Sequence, residues 1–337
     1  MTSYKNINNA VGWIVFILST LVYIMTAEPT GSFWDCGEFI GCCLKLQVAH
    51  SPGAPFFLML GRLFTMFAGS PDKIASCVNL MSNIMGGLTS LFLFWTITAM
   101  ARKMTTKKES DMSMDQIIAV MGAGFVGAMA CTFTDSNWFS AVEGEVYASS
   151  AFFTSLVTWA IFKWDNVADE KYADRWIVFI GYMMGLSIGV HLLNLLTIPA
   201  LVFVVYFRKA SVVTTWGVIK TFLIACGILA FVQFGIIPGI PNYGSDFDIF
   251  FVNTLGLPFN SGIIFWFVLI AVALFFTYRY SKQKALPWLH TSVMTVIVII
   301  IGYSSYSMVL IRANANPAIN MSNPSNFVNL VSYLNRE

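Results

Sequence analysis

Nine apolar runs divide this chain and dictate the solvent it folds in. They lie at approximately 10–26, 74–101, 116–133, 147–163, 176–190, 195–207, 217–236, 261–278 and 288–311. A bilayer core is crossed by about 20 apolar residues of helix. The fifth and sixth runs are short and meet at GVHLLN, which reads as a broken pair. Charged residues make up 11% of the chain, whereas soluble domains carry about 25%. The expected fold is therefore an all-α polytopic membrane protein with about nine transmembrane helices. A net charge of +2 gives no footprint for nucleic acid. The six cysteines lie mostly in or beside apolar runs without metal-ligand spacing, and read as small packing residues.

The basic residues set an orientation. Arg102, Lys103, Lys107 and Lys108 follow the second run; Lys163, Lys171 and Arg175 separate the fourth and fifth. Arg208 and Lys209 follow the sixth, and Arg279, Lys282 and Lys284 the eighth. With the N-terminus inside, all four groups fall on the cytoplasmic side, as the positive-inside rule requires. The first run has only Lys5 as a basic flank and a poor cleavage site at Thr26-Ala27, so it reads as a span and not a signal peptide. Residues 1–311 form the membrane domain. Residues 312–337 leave it through a Pro/Asn-rich stretch and read as the start of a longer extracytoplasmic segment.

No Asp, Glu, Lys or Arg sits in the middle of a run. Intramembrane charge usually marks a relay or coupling-ion site, so the titratable groups of interest are those on the outside loops. The first such loop is the richest. Asp35 and Glu38 have capping-box spacing, and Phe39, Cys42, Cys43 and Leu46 follow on one helical face. This describes a capped helix on the membrane surface. It equally puts a carboxylate at an outward cavity, where it can act as a general base. His50-Ser51-Pro52-Gly53 reads as the stop of that helix, with His50 either structural or a donor to sugar or phosphate. Arg62 interrupts the next apolar stretch, PFFLMLGRLFTMF, whose length fits an interfacial or re-entrant segment. It either snorkels or anchors a lipid-linked phosphate.

The other outside loops add further groups. Glu143 and Glu145 are two apart and cannot share a helical face, so at most one enters a cavity. His191 and Asn194 share a face at the helix break, where they satisfy freed backbone or touch a ligand. Trp34 and Trp138 either anchor the interface or stack on a sugar. Asp246-Phe247-Asp248 lies in a turn-rich outer loop and reads as acceptor contact or solvation, not as a metal pair. Arg312 leaves the last run at the outer face as a second candidate phosphate anchor.

The stretch FWDCGEFIGCCLKLQVAHSPGAPFF resembles the "DSGE … AHPPGYP" signature of the domain-of-unknown-function 2723 proteins, grouped as glycosyltransferase family 117. FTDSNWFSAVEGEVYASSAFF, GLSIGVHLLNLL and IRANANPAINMSNPSN are similar to its bacterial branch, as found in Bacteroidetes. Asp35 and Glu38 take the positions of the acid pair; His50, Pro52 and Gly53 take those of AHPPG, with Ser51 where the signature has Pro. The family resembles clan C glycosyltransferases, whose first outside loop carries an active-site acid. The resemblance implies transfer of a hexose, mannose in the first instance, from a polyprenyl phosphate to Ser or Thr of an exported protein. The site would face the periplasm of a bacterial inner membrane. Asp35 would be the base with Glu38 beside it, and Arg62 and Arg312 would meet the donor phosphate. Trp34, His50, Trp138, Glu143, His191 and Asn194 would line the sugar and acceptor pocket. The leaving group is already a phosphate ester, so neither metal nor cofactor is required. The alternatives are a transporter or flippase of lipid-linked sugar, and a non-catalytic membrane anchor.

Overall fold

The computed structural model describes residues 4–105 and 112–337; Lys107 and Lys108 of the orientation argument lie outside them. Among the described residues the chain is all helix, with a single isolated parallel bridge between Val48 and Asn320. Seven helical stretches are long and apolar enough to cross a membrane. The runs read at 147–163 and 176–190 correspond to two helices outside that set, Val146–Val167 and Arg175–Ile188. The first is long enough but interrupted by Ser149, Ser150, Thr154, Ser155 and Thr158. The second has 14 residues, about 21 Å of helix. The protein is an all-α, polytopic membrane protein.

The chain forms two compact units. The first comprises residues 1–46, 57–166 and 190–194. Its elements are α1 (Tyr4–Thr26), α2 (Cys36–Lys45), α3 (Pro55–Thr65, from Phe57 on), α4 (Ile74–Thr105), α5 (Met114–Thr132), α6 (Asp135–Ala141) and α7 (Val146–Val167). In lipid no hydrophobic gain drives helices together, so close packing and interhelical hydrogen bonds do. Both operate here. Thr132 Oγ1 of α5 is 3.0 Å from Ser19 Oγ of α1 and 2.8 Å from Ser90 Oγ of α4, while Tyr23 OH donates to Thr132 O at 3.0 Å. Ser19, Tyr23, Ser90 and Thr132 are all fully buried.

The second unit comprises residues 47–56, 167–189 and 195–337. It holds α8 (Arg175–Ile188), α9 (Ile198–Lys209), α10 (Thr215–Ala230), α11 (Gly239–Asn253), α12 (Ser261–Gln283), α13 (Pro287–Tyr303), α14 (Ser307–Asn314) and α15 (Phe327–Asn335). α8 packs closely on α13. At their crossing glycine faces glycine: a Cβ added to Gly302 would lie 2.5 Å from the Gly185 carbonyl carbon, and one on Gly185 would lie 2.5 Å from Ile299 O.

The stretch read as a long outer loop, 237–260, is largely helix. A π-helical turn, Phe231–Ile236, joins α10 to α11. Pro238 and Pro241 are tolerated because they fall at the start of α11, where backbone N–H groups have no intrahelical acceptor. The DxD lies on this helix. Asp248 is buried and accepts from the backbone N–H of Asn260 (3.2 Å) and Gly262 (3.0 Å), so it serves the start of α12. Acceptor contact and plain solvation are thus both replaced, for Asp248, by a structural cap.

The glycine crossing makes a specific demand. Gly302→Val forces backbones apart, and overpacking of this kind costs about 1–3 kcal/mol or more. Gly227→Val, at a position with open space around it, serves as the matched control. Thermal unfolding in detergent should show a clear drop in midpoint for Gly302→Val and a small change for Gly227→Val.

Candidate functional site

The loop that follows α1 is held by α4. Asn79 Nδ2 donates to the carbonyl oxygens of Glu28 (2.6 Å) and Thr30 (3.1 Å). Asn83, one turn later, donates to Ala141 O at 2.8 Å and fixes the end of α6. The turn between α6 and α7, VEGEV, then presses against both. A Cβ on Gly144 would lie 3.0 Å from Asn79 Oδ1 and 3.2 Å from Ile40 Cγ1 of α2. Glu145 N–H donates to Glu143 O at 2.9 Å and closes the turn.

This turn buries two carboxylates in one place: Glu143 is 4% exposed and Glu145 is 5%. Glu143 accepts side-chain hydrogen bonds from Ser32 and from Cys36, the first residue of α2, while its Oε2 is buried without a protein partner. Burial raises the Glu143 pKa above the ordinary glutamate value, against the lowering effect of those two hydrogen bonds. The Cys36 thiol is pushed up to about 12, by burial first and then by the charges of Glu143 and Glu145. It therefore remains a thiol and a donor. Both glutamates are inside, which two-apart spacing on a helix would forbid; the turn conformation permits it.

Asp35 stands at the N-cap of α2 and is exposed. The capping-box expectation is corrected here. Asp35 has helical φ and ψ (−84° and −3°), and its side chain makes no capping bond; side-chain capping needs an extended backbone at that position. Glu38 lies one turn on, half-buried. The expected apolar face is present, with Phe39, Cys42 and Cys43 buried. Tyr147, the second residue of α7, lies in the field of Glu145, Asp35 and Glu143. Its ring centroid is 5.4 Å from that of His191. His191 Nδ1 accepts from Leu193 N–H at 3.2 Å, and Asn194 is fully buried.

The remaining expected residues are placed as follows. Arg62 Nη1 donates to Leu44 O at 2.5 Å, which satisfies a carbonyl at the end of α2. Trp138 Nε1 donates to Thr26 Oγ1 at 2.9 Å, and its ring packs edge-on against Phe133. Trp34 is 85% exposed. The first unit thus brings Asp35, Glu143 and His191 around Tyr147. Sequence reasoning passed over Tyr147 and Cys36, although Tyr147 stands two residues after Glu145 in a quoted motif.

His50 and Arg312 belong to the second unit. The expectation that His50-Ser-Pro-Gly ends α2 is also corrected: α2 stops at Lys45, where Leu46 takes a left-handed conformation with φ 48°. Residues 47–49 then run beside 319–321. Val48 N–H donates to Ile319 O (3.0 Å), Met321 N–H to Val48 O (3.2 Å), and Ile319 N–H to Gln47 Oε1 (2.8 Å). Tyr333 of α15 is 1% exposed, and its hydroxyl donates to Ala49 O at 2.5 Å and lies 3.3 Å from His50 O. Ser51 Oγ donates to Tyr333 O. Gly53, with φ 98°, allows this approach, since a Cβ there would lie 2.2 Å from the Tyr333 hydroxyl. Arg312 is half-buried in the last turn of α14.

Two expected outcomes test these arrangements. The raised Glu143 pKa contributes stability that is present below the ordinary glutamate value of 4.5 and is lost as pH rises through the folded value. Glu143→Gln should remove that loss, so its thermal midpoint in detergent should fall less than the native one between acidic and neutral pH. Tyr333→Phe leaves the Ala49 and His50 carbonyls without their donor, at about 1–3 kcal/mol. Hydrogen–deuterium exchange should rise in residues 47–53 and stay unchanged at Ser19–Thr20.

A family profile described as "Protein O-mannosyl-transferase TMEM260 N-terminal domain" matches residues 35–214, more than half of the 337. Its match begins at Asp35 and includes Glu38, His50, Arg62, Trp138, Glu143, His191 and Asn194. Among curated relatives, "Protein O-mannosyl-transferase tmem260" of Dictyostelium discoideum is 27% identical over 145 residues, 43% of this chain and 16% of the relative. The Mus musculus protein of that name is 23% identical over 175 residues, 52% of this chain and 22% of the relative. The aligned part of the chain thus spans less than a quarter of either relative's length. No solved structure matches it. The chain belongs to the family of the protein O-mannosyl-transferase TMEM260 N-terminal domain.

Proposed function

We propose that this protein is a membrane glycosyltransferase that moves a hexose, mannose in the first instance, from a polyprenyl phosphate to Ser or Thr hydroxyls of exported proteins. The transfer takes place at the outer face of the membrane, the periplasmic side of a bacterial inner membrane. Two relatives named protein O-mannosyl-transferases support the reaction class. The observation that carries the reading is the group of acids around the start of α2, with Asp35 exposed at its N-cap and Glu143 buried behind its first residue.

The chemistry follows from the groups. An acceptor hydroxyl attacks the anomeric carbon, the bond from that carbon to the phosphate oxygen breaks, and the hydroxyl proton passes to a carboxylate base. Asp35 is accessible and takes that role, with Glu38 one turn behind it. Glu143 does not need to reach the acceptor. It holds Cys36 and Ser32, and so sets where Asp35 stands. A leaving phosphate develops negative charge, which a fixed cation stabilises; Arg62, in the first unit with Asp35, is the proposed partner. His191, Asn194, Trp34 and Trp138, all of the first unit, shape the sugar and acceptor pocket. No metal or cofactor is part of this proposal.

The test uses membranes carrying the protein, a labelled polyprenyl-phosphate mannose and a Ser/Thr-containing exported protein. A positioned base contributes about 10²–10⁴-fold, so Asp35→Asn should lower transfer by at least about 100-fold with insertion unchanged. Undiminished transfer would move the base to Glu38 or Glu143, which Glu38→Gln and Glu143→Gln separate. Absence of transfer by the native protein, with any hexose donor of this class, would overturn the reading.

A further inference from the structure

Three buried oxygens near the start of α4 and the turn between α6 and α7 have no hydrogen-bond partner. The first is Asn79 Oδ1, on a residue 1% exposed. Turning the amide over does not cure this. Nδ2 already donates to the carbonyl oxygens of Glu28 and Thr30, and a flip would set oxygen against oxygen there. Glu143 Oε2 is the second, and Ser82 Oγ, on a fully buried residue, is the third. Amide and carboxylate oxygens only accept, so what they call for is a donor or a cation.

The chain brings the three to one place. Asn79 Oδ1 faces the turn that carries Glu143, since it stands 3.0 Å from where a Cβ on Gly144 would be. Asn79 and Glu143 also brace the same loop, one through the Thr30 carbonyl and the other through the Ser32 side chain. Two residues of chain span at most about 7 Å. Ser82 comes three residues after Asn79 and shares its helical face. Asn83 beside it reaches Ala141 O, at the end of α6.

Glu143 also lacks a counterion among the described residues. Its side chain is held by Ser32 and Cys36, both neutral donors, because the Cys36 thiol stays protonated. A buried carboxylate is tolerated when it is protonated or matched by a cation. Glu145, in the same turn, makes contacts of its own; the single charge of Glu143 calls for a single positive charge. Carboxylate, amide and hydroxyl oxygens are hard ligands and do not select soft transition metals. Magnesium keeps several of its waters, and these oxygens are closed to solvent. We propose that the first unit binds one small monovalent cation, sodium in the first instance, through Glu143 Oε2, Asn79 Oδ1 and Ser82 Oγ. The ion ties α4 to the turn between α6 and α7, behind the first residue of α2. It does not depend on the reaction proposed above.

The experiment follows thermal unfolding of the purified chain in detergent at neutral pH, with sodium chloride replacing choline chloride at constant ionic strength. The native midpoint should rise along a saturating curve, by about 2–4 °C once sodium is about tenfold above its dissociation constant. Lowering the pH should shrink that rise, because proton and cation compete for Glu143. Glu143→Gln, which keeps the size and removes the charge, should abolish it. Ser82→Ala removes a hydroxyl that makes no hydrogen bond among the described residues, and should need at least about threefold more sodium for the same rise. Asp115→Asn, at an exposed acid of the same unit, should keep the native response. No sodium rise in the native protein, or an equal rise in Glu143→Gln, would overturn the site. A larger saturating rise with calcium chloride, lost in Glu143→Gln, would overturn the monovalent assignment in favour of a divalent ion.

Discussion

The structure depends on the absence of water from the membrane core. A polar group there must find a protein partner, and helices gain nothing from hiding apolar surface that lipid already covers. The first unit answers with hydroxyls: Thr132 bonded to Ser19 and Ser90, and Tyr23 bonded to the Thr132 carbonyl, join three helices at one level. The second unit answers with bare backbone, Gly185 against Gly302. Several large apolar side chains of the second unit are left exposed, as with Phe267, Phe275 and Phe276 on α12.

The candidate site inherits its order from these bundles. Asn79 and Asn83 are one turn apart on α4, and between them they hold the loop after α1 and the end of α6. The glutamates of the following turn are thereby packed behind α2. A buried carboxylate with one unpartnered oxygen costs stability, and sites that do chemistry are where such groups are retained. In the second unit the turn at His50 is held in a comparable way, by backbone pairing to 319–321 and by the Tyr333 hydroxyl. A residue that ends up exposed, such as Asp35, is set by residues that are not.

Much of this was legible in the residues. The apolar runs located the membrane helices because backbone satisfaction in lipid leaves one option for such a run. The motif around Asp35 pointed to the segment where the family profile begins. Other features were read wrongly for identifiable reasons. Asp35 and Glu38 have capping-box spacing, but spacing does not report backbone angles, and Asp35 is helical. Pro238 and Pro241 looked like loop residues because Pro breaks helix interiors, yet they stand at a helix start. Asp248 looked like a solvated acid because its two donors, the N–H groups of Asn260 and Gly262, lie beyond the next turn.

The sequence by itself determined the solvent, the helical class, the approximate spans and the likeness to protein O-mannosyl-transferases, because each is carried by residues close together in the chain. Only the tertiary structure decided that Glu143 and Glu145 are both buried, that Cys36 and Ser32 hold Glu143, that Tyr147 meets His191, and that Tyr333 holds the turn at His50. Those contacts join residues up to 284 positions apart, and no local pattern encodes which distant side chain will supply a missing partner. Burial and hydrogen bonding are properties of the pair, so they exist only once both members have been brought together.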